Sequence, residues 1–306
     1  MGEFDIRYIK LHFELEMVED TTMSVNKASA IRGGIGEMLL RANCISDRDC
    51  EKCDFESECI VQRTMYSKFD REVELVGDMN SIGYIIECDD YREDYLAGDI
   101  LSFSLLLFGK TIVYFNQYLQ AVYALGQNGI GKHKSRFTIK QVRNSRMQPI
   151  LDGYNVNMSM YKYEVIKDYI QYRTKQVEDK GYEKKILFRT PLTLKHNGKF
   201  LEEFDANLLV KAIQRRLYIL NCYEGNYDND IYEKDLPTMN VVNQKIIKQR
   251  VDRYSNRKNS KMHLKGIRGE LIIEDIPIEV LPILLAGEII HVGKNTSFGF
   301  GHYNLR

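Results

Sequence analysis

The sequence predicts an α+β fold made of two related halves, and three observations predict it. Hydrophobic periodicity switches between 2 and 3.6 residues in the order β-α-β-β-α-β over the first half, and a similar order recurs over the second. The 306 residues are 44% apolar and 28% charged, a composition that folds and supports about two cores at roughly 150 residues per domain. Pro149 and Gly153 break both periodicities within residues 145–158, as a linker would.

In the first half, residues 3–16 alternate, with Phe4, Ile6 and Tyr8 opposite Ile9, Leu11, Phe13 and Leu15, so both faces are apolar as in a central strand. Helical spacing follows over 29–41. Ile31, Ile35, Met38 and Leu39 share a face there, Ser29 is the expected N-cap, and Gly33, Gly34 and Gly36 point to a close backbone approach. Strands are expected at 82–88 and 100–108. Ile112, Phe115, Leu119 and Val122 mark a helix ending at Gly126, and after a glycine-rich loop a strand begins near Arg136. This is the split βαβ, ferredoxin-like plan.

The second half repeats it through strands at 160–166 and 185–192 and a helix over 205–220 capped by Asp205. A solvated acidic loop over 224–235, a helix through Val242 and Ile246, a strand at 269–273, a helix over 278–286 and a strand at 301–305 complete it. The predicted architecture is thus tandem ferredoxin-like. Domain 1–150 carries a Cys-rich metal-binding insertion at 44–59, and domain 151–306 a glycine-rich loop at 291–301.

Charge is balanced, 43 Lys and Arg against 43 Asp and Glu, which argues against a uniformly basic surface and leaves local runs to decide. The N-terminal residues lack a signal-peptide pattern and no window is long and apolar enough for a bilayer, so a cytoplasmic protein with no membrane partner is expected. Its six cysteines are then reduced.

Four of them, Cys44, Cys50, Cys53 and Cys59, fall within 16 residues and include a C-x-x-C pair. That set fits a structural four-cysteine metal site with Zn²⁺ as the leading occupant; an iron–sulfur cluster ranks below zinc because the spacing is not a standard ferredoxin pattern. Cys88 and Cys222 read as buried small hydrophobes. Two basic tracts stand out. Residues 132–146 hold six Lys or Arg and no acid, and residues 245–268 hold nine against Asp252 alone, interleaved with Tyr254 and His263. Such groups contact phosphate and stack on bases, whereas a charge run by itself is most often a solvated face. Around Gly293, Gly299 and Gly301, backbone N–H groups with Lys294, Asn295, Thr296 and Ser297 can approach a phosphate, although no P-loop or Rossmann spacing is present.

Taken in order, these motifs resemble one family. Ile31-Arg-Gly-Gly-Ile-Gly-Glu-Met-Leu with the Cys excursion, Leu107-Phe-Gly, Gly129-Ile-Gly-Lys, Phe188-Arg-Thr-Pro-Leu, His263-Leu-Lys-Gly-Ile-Arg-Gly and His291-Val-Gly-Lys with Phe298-Gly-Phe-Gly are similar to the RAMP-superfamily CRISPR-associated endoribonucleases of the sixth Cas family. The resemblance spans nearly the whole chain. It implies two ferredoxin-like, RRM-like domains that bind precursor CRISPR repeat RNA in a basic cleft and cut it without a catalytic metal. In that chemistry the 2′-OH attacks the adjacent phosphate and leaves 2′,3′-cyclic phosphate and 5′-OH ends. Other Cas proteins of an effector complex are implied partners.

One departure matters. Many members carry a histidine in or near the first helix, and residues 25–43 contain none. The expected proton-transfer group is therefore His291, followed by His263 and His133 in the basic tracts, with Tyr254 or Lys27 as substitutes. RNA contacts are expected from Lys132, Lys134, Arg136, Arg253, Arg257, Lys258, Lys261, Arg268, Lys294, Asn295, Thr296 and Ser297. The alternative is a non-catalytic RAMP subunit that binds guide RNA, and a third reading makes the Cys cluster a zinc-dependent nucleic-acid-binding module.

Overall fold

The first sheet grows around β1 (Arg7–Met17), whose alternating pattern buries Leu11, Phe13, Leu15 and Met17 on one face. It pairs antiparallel with β3 (Ile100–Phe108) on one side and β4 (Phe137–Arg143) on the other, and β2 (Tyr84–Glu87) closes the edge beside β3. The spatial order is β2-β3-β1-β4. This computed structural model describes residues 2–67, 69–73, 75–76, 81–180, 183–255 and 260–306, without the side chains of residues 51, 180, 253–255 and 261.

Two helices cover this sheet, α1 (Lys27–Asn43) and α2 (Phe115–Asn128). Ile31, Ile35 and Leu39 of α1 and Tyr118, Val122 and Leu125 of α2 share one core with Leu11, Phe13 and Phe103. Each fully buried side chain of this size contributes about 1.5–3 kcal/mol. A Cβ on Gly34 would lie 2.5 Å from the Leu125 side chain, so this glycine lets α1 settle on α2.

The second sheet uses β5 (Lys185–Leu192), β6 (Val241–Ser255), β7 (Ser260–Ile273) and β8 (Tyr303–Leu305) in the order β6-β7-β5-β8, antiparallel throughout. In each sheet the strands run second, third, first, fourth along the half's own sequence. The helices of this half are α3 (Ile166–Lys180), α4 (Ala206–Glu224) and α5 (Leu281–Ile290). Asp205 caps α4 as expected, accepting from the Asn207 and Leu208 amides at 2.9 Å, an interaction worth about 1 kcal/mol. The halves share a core, since Ile6, Tyr8, Ile85, Leu106 and Phe108 of the first pack with α4, α5 and β5 of the second.

Several sequence expectations need correction. Residues 145–158, read as a linker, hold the strands Pro149–Asp152 and Asn155–Val156, which extend the first sheet from β4. Position 150 therefore lies inside a strand. The strand expected at 160–166 reduces to Glu164–Val165, paired with β1, and α3 follows at once. Val242 and Ile246 lie in β6, not a helix; a four-residue separation places two residues on one side of a strand as well as of a helix. Asn26, not Ser29, precedes α1, and α2 continues through Gly126 to end at Gly129, whose φ of 79° is the left-handed conformation glycine tolerates.

Candidate functional site

The loop from His291 to Gly301 leaves α5 and crosses to the first half. A Cβ on Gly301 would lie 1.8 Å from the Val292 carbonyl oxygen and one on Gly299 2.6 Å from that of Ile86, so the glycines let the loop fold on itself and press against β2. His291 sits at this seam with no exposed surface. Its Nε2 is 3.0 Å from Glu87 Oε1 and its Nδ1 3.1 Å from the Phe300 carbonyl oxygen. Lys10 Nζ reaches Glu87 Oε2 at 2.6 Å, and the His302 ring stacks on His291 at 4.7 Å and 1°.

Burial alone would push the Glu87 carboxyl up, yet Lys10 and the His291 hydrogen bond together hold it below the usual carboxylate range. Burial, followed by the neighbouring His291, pushes His302 down to about 3, so that ring is neutral at pH 7. His291, the first choice from sequence for proton transfer, is thus enclosed and engaged at both ring nitrogens. Its position is that of a brace between the halves. Glu87 and Lys10 were missed because 204 residues separate Glu87 from its histidine and no local spacing announces the pair.

The exposed chemistry lies on the β6–β7 hairpin. Pairing of β7 with β5 ends at Leu192↔Ile267, and beyond it the two long strands continue as a ribbon. Cross-strand register sets Arg250 opposite Lys265 and Asp252 opposite His263, while the intervening Val251–Leu264 pair packs on Phe298 and Phe300 of the glycine loop. One face of the ribbon therefore grips the loop and the other presents Arg250, Asp252, His263 and Lys265 to solvent. His263 Nδ1 is 2.6 Å from Asp252 Oδ1, Arg250 Nη2 lies 2.7 Å from the same ring, and 42% of the His263 side chain is exposed. Hydrogen bonds from His263 first, then Arg250, hold the Asp252 carboxyl below its ordinary range. A carboxylate on one ring nitrogen fixes the tautomer and the plane of an imidazole.

Other RNA candidates are scattered around this hairpin. Tyr254 and Lys261 are register partners on it, and Arg253 lies beside them, but their side chains are outside the description; Arg257 and Lys258 lie outside the described residues altogether. Lys294 is exposed and Asn295 half-buried at the start of the glycine loop, whereas Thr296 and Ser297 are each only 5% exposed. Arg268 is half-buried in β7. Arg32 of α1 stacks over Phe298 at 4.3 Å, tying the helix that lacks a histidine to the same loop.

The first basic tract is different. Pairing of β4 with β1 brings it against glutamates distant in sequence: Arg136 meets Glu19 at 3.1 Å, Lys140 Glu16 at 3.0 Å and Arg143 Glu14 at 2.8 Å. Lys132 and Lys134 remain exposed on the preceding turn, and His133 shares a surface pocket with Glu19, Asp20 and Asp94. Lys27 is buried and donates to the Asp90 carbonyl oxygen at 3.0 Å. Cys88 is half-buried and Cys222 fully buried. The four clustered cysteines line one cavity beyond the end of α1.

Comparison with known proteins agrees with this architecture. Residues 6–163 match a family model described as an N-terminal domain (AF_1859_N), and residues 186–303 match CRISPR-associated endoribonuclease Cas6. Among solved structures, a chain of a partial Cas6-RT-Cas1–Cas2 complex aligns with TM-score 0.60 at 12% identity, covering 98% of this chain and 46% of that one. A Cas6 product complex aligns with TM-score 0.53 at 14% identity over 97% and 98% of the two chains. Thermus thermophilus Cas6 aligns with TM-score 0.50 at 13% identity over the same shares. The chain spans less than half of the first two solved chains it matches. No curated protein matches it. With its paired antiparallel sheets, the chain shares the fold of these solved Cas6 structures. Within that fold, residues 186–303 carry the match to the CRISPR-associated endoribonuclease Cas6 family.

Proposed function

We propose that this protein, built as two ferredoxin-like halves, is an endoribonuclease that cuts CRISPR repeat RNA in precursor transcripts without a catalytic metal. The 2′-OH beside the scissile phosphate attacks the phosphorus, the P–O5′ bond breaks, and the products carry 2′,3′-cyclic phosphate and 5′-OH ends. Such a reaction asks the protein to align the hydroxyl, move one proton off it and one onto the leaving oxygen, and stabilise charge on the phosphorane.

The observation that carries the reading is the exposed His263 on the β6–β7 ribbon, held by Asp252 with Arg250 and Lys265 beside it. We assign proton transfer to His263 in place of His291, orientation of its ring to Asp252, and phosphorane charge to Arg250 and Lys265. Lys294 and Arg268 hold flanking phosphates, while Thr296 and Ser297 shape the glycine loop. A partner among other Cas proteins is supported by the likeness to a chain of the Cas6-RT-Cas1–Cas2 complex.

The test is incubation of the purified protein with its repeat RNA in EDTA, followed by end analysis of the fragments. Cyclic phosphate and 5′-OH ends are the expected result; 5′-phosphate ends, or cleavage only with added divalent metal, would overturn the mechanism. One observation favours a second reading, a guide-binding subunit that does not cut: α1 has no histidine and His291 is enclosed. Tight binding with no cleavage under any condition would establish it.

A further inference from the structure

Cys44 ends α1, Cys50 and Cys53 flank a short 3-10 turn, and Cys59 begins the short helix Ile60–Thr64. All four thiols are free and half-buried, and all four line a single cavity of about 300 Å³. Leu40, Ile45, Phe55, Ile60 and Val61 supply the apolar part of its wall, and polar residues, among them Arg48, Asp49 and Glu58, line the rest.

The separation of the sulfurs decides what that space can hold. Around one zinc ion at about 2.3 Å per bond, four thiolates sit roughly 3.8 Å from one another and leave nothing between them but the metal. Among the described residues, Glu87, His291 and His302 are the one trio of His, Cys, Asp or Glu whose ligand atoms all lie within 4.8 Å of one another; no three of the four cysteine sulfurs are that close. No three of the sulfurs are thus gathered at the spacing of a single ion, and all four border one cavity. A cluster of iron and sulfide interposes its own atoms between four thiolates and needs both the wider spacing and the room.

The backbone adds a second mark. Asp47 and Arg48 both take positive φ, 43° and 67°, and the resulting turn directs the Arg48 amide at Cys44 Sγ, 3.3 Å away. Amide hydrogen bonds to thiolate sulfur are one of the protein's means of stabilising such a cluster. The Arg48 side chain is meanwhile held by Glu37 of α1 at 2.8 Å, which ties the turn to the helix.

We infer that Cys44, Cys50, Cys53 and Cys59 ligate a four-iron, four-sulfide cluster, not the single zinc that their number first brings to mind. Its role is structural. It staples the end of α1 to the helix Ile60–Thr64, and α1 in turn supports the glycine loop through Arg32 and Phe298. The inference is independent of the RNA chemistry proposed above, and none of its tests uses RNA.

The experiment purifies the full chain without oxygen, reconstitutes it with ferrous iron and sulfide or with Zn²⁺ alone, and measures iron, sulfide and zinc per chain with the visible spectrum. The expected result is roughly four iron and four sulfide per chain with a broad visible absorption that dithionite bleaches. Cys53→Ala and Cys44→Ala should lose the four-iron product, and Cys88→Ser should keep it. Should the single variants fail to fold, the Mössbauer spectrum of the unsubstituted protein identifies a thiolate-ligated four-iron cluster without them. One zinc per chain that iron and sulfide do not displace, iron uptake unaffected by both cysteine variants, or no stoichiometric uptake of either metal would each overturn the assignment.

Discussion

The two halves use one strand order and differ in what they do with its middle strands. In the first half, β2 has four residues and β3 nine, and their pairing stays within the sheet. In the second, β6 and β7 have 15 and 14 residues and run past β5 as a free ribbon. The same contrast governs charge. Arg136, Lys140 and Arg143 of the first tract lie at or on β4 and are matched one for one by Glu19, Glu16 and Glu14 on and just beyond β1, while Lys132 and Lys134 stay exposed; on the ribbon Arg250 and His263 share the single acid Asp252, and Lys265 stands opposite Arg250. A basic run thus acquires its meaning from register: paired into a sheet it is offset, and on an overhang it stays available to a polyanion.

The largest expected effect tests the ribbon directly. His263→Ala should lower the single-turnover cleavage rate by roughly 10²–10⁴-fold, the range of a lost general acid or base, with RNA affinity nearly unchanged. Asp252→Asn should lower it less and shift the pH–rate profile, because the ring keeps its place but loses its anionic partner. An unchanged rate in His263→Ala would move the proton-transfer role elsewhere.

The seam between the halves comes next. Lys10→Met leaves the Glu87 carboxylate, only 8% exposed, with His291 as its remaining partner, and should cost about 3 kcal/mol in denaturant unfolding. The seam also sets a pH limit. With His302 held down to about 3 in the fold against about 6.5 unfolded, the unfolded chain binds the extra proton, so stability is complete above pH 6.5 and falls as pH drops toward 3. At pH 5 the loss is about 2 kcal/mol, and His302→Phe should remove that part of the acid sensitivity in thermal melts.

The smallest effects separate the two tracts. Arg268→Ala and Lys265→Ala should each reduce the slope of log affinity against log salt by about 1, while Arg136→Ala should leave both that slope and the unfolding midpoint essentially unchanged. Equal slopes for all three variants would erase the contrast between the halves.

Much of the fold was legible because the hydrophobic periods are strong where sheets and helices bury one face, as in β1, β3, α1 and α4. The errors have physical causes. The β6–β7 ribbon buries little, so its alternation is weak and Val242 and Ile246 read as helical; α3 carries mostly polar residues, and its narrow apolar stripe of Ile166, Ile170 and Val177 went unread. For the site, the sequence marked His263 and Asp252 as neighbours in a basic tract, but a two-strand register was needed to put them face to face. It ranked His291 higher because a glycine-rich loop with a histidine and a lysine looks like a phosphate site, and nothing local shows that β2 of the other half closes over it.

The most direct test of the account compares two repeat RNAs in EDTA, one all-ribose and one with a single 2′-deoxy at the scissile nucleotide. Cleavage of the first and survival of the second, with equal binding of both, is the predicted outcome. Cleavage of the deoxy substrate at the same position and rate would contradict attack by the 2′-OH and, with it, the role assigned to the His263 ribbon.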